Sequence, residues 1–156
     1  IAWANAKLPL TAAVNQTKPT KVKLRINPAV IAEKNEVLAS IGDDSVLVWD
    51  ARSPEEYSGA RIVAARGGHV PGAINLDWLE LIDRKRDFKL VNNLAEIVAE
   101  TGLTEAKTII THCQTHHRSG LTYFAGKFLG LNIKAYDGSW SEWGNDPDTP
   151  IESSKP

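Results

Sequence analysis

The sequence predicts an α/β fold, a parallel sheet covered by helices on both faces, and three observations carry that reading. Short apolar runs, Val46-Leu47-Val48-Trp49-Asp50 and Thr108-Ile109-Ile110, have the length and composition of buried parallel strands. Segments of helical period, bounded by capping and stop residues, lie between such runs. Strand-like and helix-like segments alternate along the chain, the order that builds a parallel sheet.

Each element has its own signal. Asn27-Pro28 reads as an N-cap and first-turn proline opening a helix to about Ala39, with Val30, Ile31, Val37 and Leu38 inward. Ser53-Pro54-Glu55-Glu56 carries a cap, a first-position proline and early acids, so a short helix begins there. Gly67-Gly68-His69-Val70-Pro71-Gly72-Ala73 is a loop leading to a strand at Ile74-Asn75-Leu76, and His69 is expected to be structural. Asn93 to Thr101 predicts a helix with Leu94, Ile97 and Val98 inward and Gly102 as its stop. Leu121, Phe124, Ala125, Phe128 and Leu129 predict a further helix with these five inward, ended by Gly130. Ile133 to Tyr136 is a last strand and Asp137-Gly138 its turn. Arg84-Lys85-Arg86, flanked by Asp83 and Asp87, reads as a solvated turn, and the five tryptophans as core or surface cover.

With 156 residues, 42% hydrophobic and 24% charged, the chain suits one soluble domain with a real core. A net charge of -1 points to neither nucleic acid nor an anionic membrane as partner. No apolar stretch has the length of a membrane span. One unpaired cysteine builds no internal disulfide, so a reducing compartment, the cytoplasm, is expected. The chain contains no methionine, so Ile1 is not expected to start translation, and a fragment or processed product is expected. Residues 1–23 have little periodicity and read as a linker. Within them Trp3-Ala4-Asn5 with Pro9-Leu10 echoes Trp143-Gly144-Asn145 with Pro150-Ile151, one residue longer in the second copy.

The single cysteine, Cys113, falls where Ile109-Ile110-Thr111-His112 breaks into Gln114-Thr115-His116-His117-Arg118-Ser119 ahead of a helix. A lone cysteine usually packs as a small hydrophobe. Here free N–H groups of a loop and helix start, with His112, His116, His117 and Arg118 adjacent, favour a thiolate and an anionic substrate. Sites in open α/β sheets form beyond the carboxyl ends of the strands, so Asp50 and Arg52, which follow another strand, are expected on the same rim as an organising ion pair. A zinc site from His112, Cys113, His116 and His117 is disfavoured, because structural zinc gathers two separated pairs of ligands.

Val48-Trp49-Asp50-Ala51-Arg52-Ser53-Pro54-Glu55-Glu56-Tyr57, Gly68-His69-Val70-Pro71-Gly72-Ala73-Ile74-Asn75, the cysteine loop, and Gly138-Ser139-Trp140-Ser141-Glu142-Trp143 stand in one order across about residues 24 to 151. In that order they resemble the rhodanese family of sulfurtransferases. The resemblance implies a central parallel sheet of about five strands. It implies Cys113 as nucleophile, Gln114 to Ser119 as the loop that binds substrate, Asp50 and Arg52 as support, and no metal or other cofactor. It implies transfer of sulfane sulfur from a small anionic donor, foremost thiosulfate, to a thiol or cyanide through a Cys113 persulfide.

The loop is similar to that of bacterial tandem-domain members, so residues 1–23 are expected to be the tail of a preceding similar domain plus linker, and 24–156 the catalytic domain. The loop lacks the Arg or Lys directly after the cysteine, and the Gly-Val-Thr ending, of the animal enzymes. Arg118, always cationic, is the expected partner of a dianionic donor. Two alternatives stay open at this point. A cysteine phosphatase needs Cys-x5-Arg, whereas Arg118 gives Cys-x4-Arg and a smaller cradle; a non-catalytic binding module would do without turnover.

Overall fold

In the computed structural model, which describes residues 1–153, the regular elements follow in this order. α1 (Ala2–Asn5), β1 (Ile31–Ala32), α2 (Lys34–Ser40), β2 (Val46–Asp50), α3 (Pro54–Ser58) and β3 (Ile74–Asn75) make the first half. β4 (Ile82–Asp83), β5 (Lys89–Leu90), α4 (Leu94–Glu100), β6 (Thr108–His112), α5 (Ser119–Phe128), β7 (Ile133–Tyr136) and α6 (Ser139–Trp143) complete it. Residues 8–27 carry no regular element and are exposed throughout.

The main sheet has five strands in the order β1-β7-β6-β2-β3, every pairing parallel. Successive side chains of a strand point to opposite faces, and that alternation divides the core. Val48, Ile110 and Tyr136 pack on one face with Val37 of α2 and Trp140 and Trp143 of α6. Trp49, Ile109 and Ile133 pack on the other with Leu94 and Val98 of α4 and Ala125 of α5. Helices therefore cover both faces, as expected.

Local signals hold where they are strong. Ser53 Oγ accepts from the Glu56 N–H while Glu56 reaches back to the Ser53 N–H, a capping box that opens α3 at Pro54. Gly102 and Gly130 follow α4 and α5 at φ +81° and +78°, conformations that glycine adopts without steric cost.

Two expectations are corrected by non-local packing. The single helix expected from Asn27 to Ala39 is broken: Asn27 caps one 3₁₀ turn, then Ile31 and Ala32 pair with Ala135 and Tyr136, and α2 starts only at Lys34. Closing the sheet edge outweighs helical propensity at these β-branched positions. On α5, Phe124 and Phe128 are 57% and 70% exposed, while Ser119, Thr122, Ala125 and Gly126 face inward. Gly126 explains the rotation, because a Cβ there would meet Ile133 Cδ1 at 2.8 Å. Small residues seat this helix close to β7 and leave the large rings outside. A two-stranded antiparallel β4–β5 hairpin, unsignalled by any alternation, carries the exposed Arg84–Arg86 turn.

Candidate active site

β2 and β6 are neighbours in register, with Asp50 opposite His112, so Asp50, Arg52 and Cys113 leave the sheet at the same carboxyl end. The Ala51 N–H donates to His112 O at 2.9 Å and ties the two strand ends together. Cys113 is 1% exposed. Its backbone is fixed from α6: Trp140 N–H donates to Cys113 O and Ser141 N–H to Gln114 O, each at 2.9 Å. Ser139, in the left-handed region at φ +53°, accepts from Cys113 N–H at 3.5 Å.

Residues 114–118 curl around the sulfur before α5 begins at Ser119. Burial works against a charged sulfur. The Ser119 hydroxyl and the N–H groups of Ser119, Thr115 and Arg118 outweigh it and hold the Cys113 thiol below its ordinary value. These donors are the unpaired N–H groups of a loop and a helix start, arranged as a cradle for an anion.

The cations are distributed differently from the sequence expectation. Arg118 is not a free cation awaiting a donor: its Nη1 and Nη2 donate to Glu56 Oε2 and Oε1 at 2.6 and 2.9 Å, a two-pronged bond. Glu56 and the neighbouring Cys113 sulfur both favour its charge. His112 is fully buried with Nδ1 3.1 Å from Cys113 O, and burial pushes it below its ordinary value, so it adds no positive charge at neutral pH. His116 is half buried and also pushed down by burial, with Nδ1 2.8 Å from Ser119 Oγ. His117 and Thr115 are exposed and bonded to each other, Nδ1 to Oγ1, at 3.0 Å. Gln114 donates to Val63 O at 3.1 Å and links the loop to the 59–66 segment. Among the described residues, no group of three His, Cys, Asp or Glu is placed to hold a metal ion.

Asp50 and Arg52 do not form a rim pair. Both are 0% exposed beneath the loop. Arg52 Nε and Nη2 donate to the Asp50 carboxylate at 2.5 to 3.0 Å, Nη2 also donates to Gly68 O at 2.7 Å, and the guanidinium lies 4.1 Å from the Trp140 ring centroid. Burial opposes ionisation of Asp50, and His112 and Arg52 beside it outweigh burial. Arg52 Nη1 and His112 Nε2 have no hydrogen-bond partner among the described residues; the latter lies 3.7 Å from Asp50 Oδ2.

Three contributors escaped the sequence reading. Glu56 was legible only as a helix cap. Arg66 donates to the carbonyls of Trp143, Asp146 and Thr149 and so staples the segment after α6. Ser139 lay within a quoted motif but carried no local sign of its bond to Cys113. His69, expected to be structural, stacks on Tyr57 at 3.7 Å and bonds Tyr57 O through Nδ1 at 2.8 Å. No helix among the described residues is long and apolar enough to cross a membrane.

This arrangement has relatives. The chain is 43% identical over 152 residues to the thiosulfate sulfurtransferase of Azotobacter vinelandii, covering 97% of this chain and 56% of that protein. It is 47% identical over 135 residues to the thiosulfate sulfurtransferase of Pseudomonas aeruginosa, covering 86% and 49% respectively. The chain thus spans about half the length of the curated relatives it matches. Among solved structures it superimposes on the anaerobic ergothioneine biosynthesis enzyme from Chlorobium limicola with a TM-score of 0.85, over 99% of this chain and 40% of that one. At 22% identity, that likeness concerns the fold. The rhodanese-like domain profile matches residues 33–146, a span that begins beside β1 and takes in the whole cysteine cradle, and the chain belongs to the rhodanese-like domain family.

Proposed function

We propose that this chain is the catalytic unit of a thiosulfate sulfurtransferase, with Cys113 as its sulfur carrier. One observation carries the reading: a buried thiol ringed by the Thr115, Arg118 and Ser119 N–H groups and the Ser119 hydroxyl, which favour the thiolate. The thiolate attacks the outer sulfur of thiosulfate. A bond forms from Cys113 Sγ to that sulfur, the thiosulfate S–S bond breaks, and its electron pair leaves on sulfite. The Cys113 persulfide then yields its outer sulfur to cyanide or a thiol, and Cys113 returns as thiolate. Loop N–H groups stabilise the anionic sulfur in both states, as an oxyanion hole does for oxygen.

In this reading Arg118, fixed by Glu56, supplies charge to the sulfur and is not consumed in holding a donor. Asp50 and Arg52 support the strand ends under the loop. A loop of Cys-x4-Arg closes around a sulfur atom more tightly than the Cys-x5-Arg that phosphate chemistry uses. The test is thiosulfate:cyanide transfer measured beside aryl phosphate hydrolysis. Transfer without hydrolysis is expected, and hydrolysis without transfer would overturn the reading.

Residues 1–23 belong, in the same proposal, to the tail of a preceding similar domain and its linker. Trp3 Nε1 donates to Pro9 O at 2.9 Å, and Trp143 Nε1 donates to Pro150 O at 2.9 Å, so the two echoing segments close the same side-chain bond. A cleft between domains would then complete the donor site. Thiosulfate saturation in a chain extended at its N-terminus, compared with this one, tests it: a lower KM in the longer chain is expected, and equal values would contradict it. A single reduced thiol is suited to a reducing compartment such as the cytoplasm.

A further inference from the structure

Of the loop histidines, His116 is the one whose ring is wired to the sulfur. It stands in the left-handed region at φ +62°, which turns the ring back toward the start of α5 and puts Nδ1 2.8 Å from Ser119 Oγ. The Ser119 hydroxyl spends its proton on the Cys113 sulfur. Its oxygen is then an acceptor, so Nδ1 must carry the imidazole proton, and Nε2 is left with a lone pair. The thiolate thereby sets the tautomer of a histidine two hydrogen bonds away.

The same ring lines a cleft of about 620 Å³ at the carboxyl ends of β1 and β7. Ile31, Ala135 and Gly138 form part of its wall. The charged groups facing it are Glu33 at the start of α2, Asp137 after β7 and Glu142 of α6. Burial and His117 push His116 below its ordinary value while Asp137 opposes them, so the ring is neutral, and basic at Nε2, near neutral pH.

We propose that this cleft admits a thiol as the sulfur acceptor and that His116 Nε2 is its general base. The inference rests on the persulfide reading above. In the step, Nε2 takes the proton of the acceptor thiol, and the resulting thiolate attacks the outer sulfur of the Cys113 persulfide. The bond between the two persulfide sulfurs breaks, and Cys113 departs as a thiolate into the N–H cradle. His116 then gives the proton to the transferred sulfur, so the acceptor leaves as a persulfide, and no oxidant or reductant is consumed. A deprotonated thiol is the stronger nucleophile by far, and a positioned base contributes on the order of 10²- to 10⁴-fold.

His116→Asn tests this cleanly. Asparagine tolerates a positive φ, and its Nδ2 replaces Nδ1 as the donor to Ser119, but it does not titrate. The protein is loaded with thiosulfate, freed of excess, and discharged in parallel to dithiothreitol and to sulfite, an acceptor without a proton to lose in mildly alkaline buffer. The ratio of dithiothreitol to sulfite discharge is expected to fall about 10²-fold in the variant. In the wild type the dithiothreitol rate falls as His116 protonates. Asp137→Asn should move that acid limb to lower pH, because Asp137 favours the charged ring. An unchanged ratio, or an acid limb indifferent to Asp137, would overturn the role of His116. Failure of the wild type to load at all would instead overturn the persulfide reading, and this inference with it.

Discussion

Two arginine–carboxylate pairs flank Cys113, alike in chemistry and opposite in setting. Asp50–Arg52 is sealed under the loop, both side chains 0% exposed, with Gly68 O and the Trp140 ring as further partners of the guanidinium. Glu56–Arg118 sits beside the loop, its arginine 27% exposed, with the Cys113 sulfur as the other neighbour of the guanidinium. The first pair ends on backbone and aromatic groups that never react, so it acts on the shape of the strand ends. The second ends on the reacting atom, so it acts on the charge of the site. Ion pairing alone tells neither role; what the arginine touches beyond its carboxylate does.

The sharpest way to break this distinction is to remove one carboxylate from the sealed pair. Asp50→Ala strands the Arg52 charge in the core and is expected to cost about 3–5 kcal/mol in urea unfolding. A loss within the range of ordinary surface changes, about 0.5 kcal/mol, would show that the pair is dispensable. Arg118→Ala is expected to cost less stability, about 1–3 kcal/mol for the half-orphaned Glu56. It should slow thiosulfate loading of Cys113 about 10²-fold, the scale of one lost electrostatic donor. Equal effects of the two substitutions on both readouts would erase the contrast.

The smallest effect is a pH dependence. Burial holds His112 below its ordinary 6.5, so below that pH the unfolded chain binds a proton that the folded chain does not. Stability is therefore full above about 6.5 and declines as the pH falls toward the folded pKa, with a slope of at most about 1.4 kcal/mol per pH unit. His112→Gln should flatten that decline in urea midpoints. Glu56, held below its ordinary 4.5 by Arg118 against the effect of burial, governs a lower window: its contribution is present above 4.5 and lost as the pH falls through its folded pKa.

How much of this was readable in the chain follows from the range of each interaction. Ser53, Pro54 and Glu56 act within one turn, and the α3 start they announce is where the helix begins. The run from Val46 to Asp50 and the stops at Gly102 and Gly130 are equally local. β1 was not legible, because Ile31 becomes a strand only through Ala135, more than a hundred residues away in the chain. The outward turn of Phe124 and Phe128 depends on Gly126 meeting Ile133 across the helix–sheet contact. In the site, the cysteine, its short loop and the helix behind it were visible as a contiguous motif. Which cations would be free was not, since Arg118 is claimed by Glu56 of α3 and His112 is neutralised by the depth at which β6 lies.

Everything above depends on Cys113 carrying sulfur, and intact-protein mass spectrometry after exposure to thiosulfate examines that directly. The account predicts a gain of one sulfur atom on the wild type, removed again by cyanide, and no gain in Cys113→Ser. A wild-type mass unchanged by thiosulfate, or a sulfur gained equally by Cys113→Ser, would contradict it.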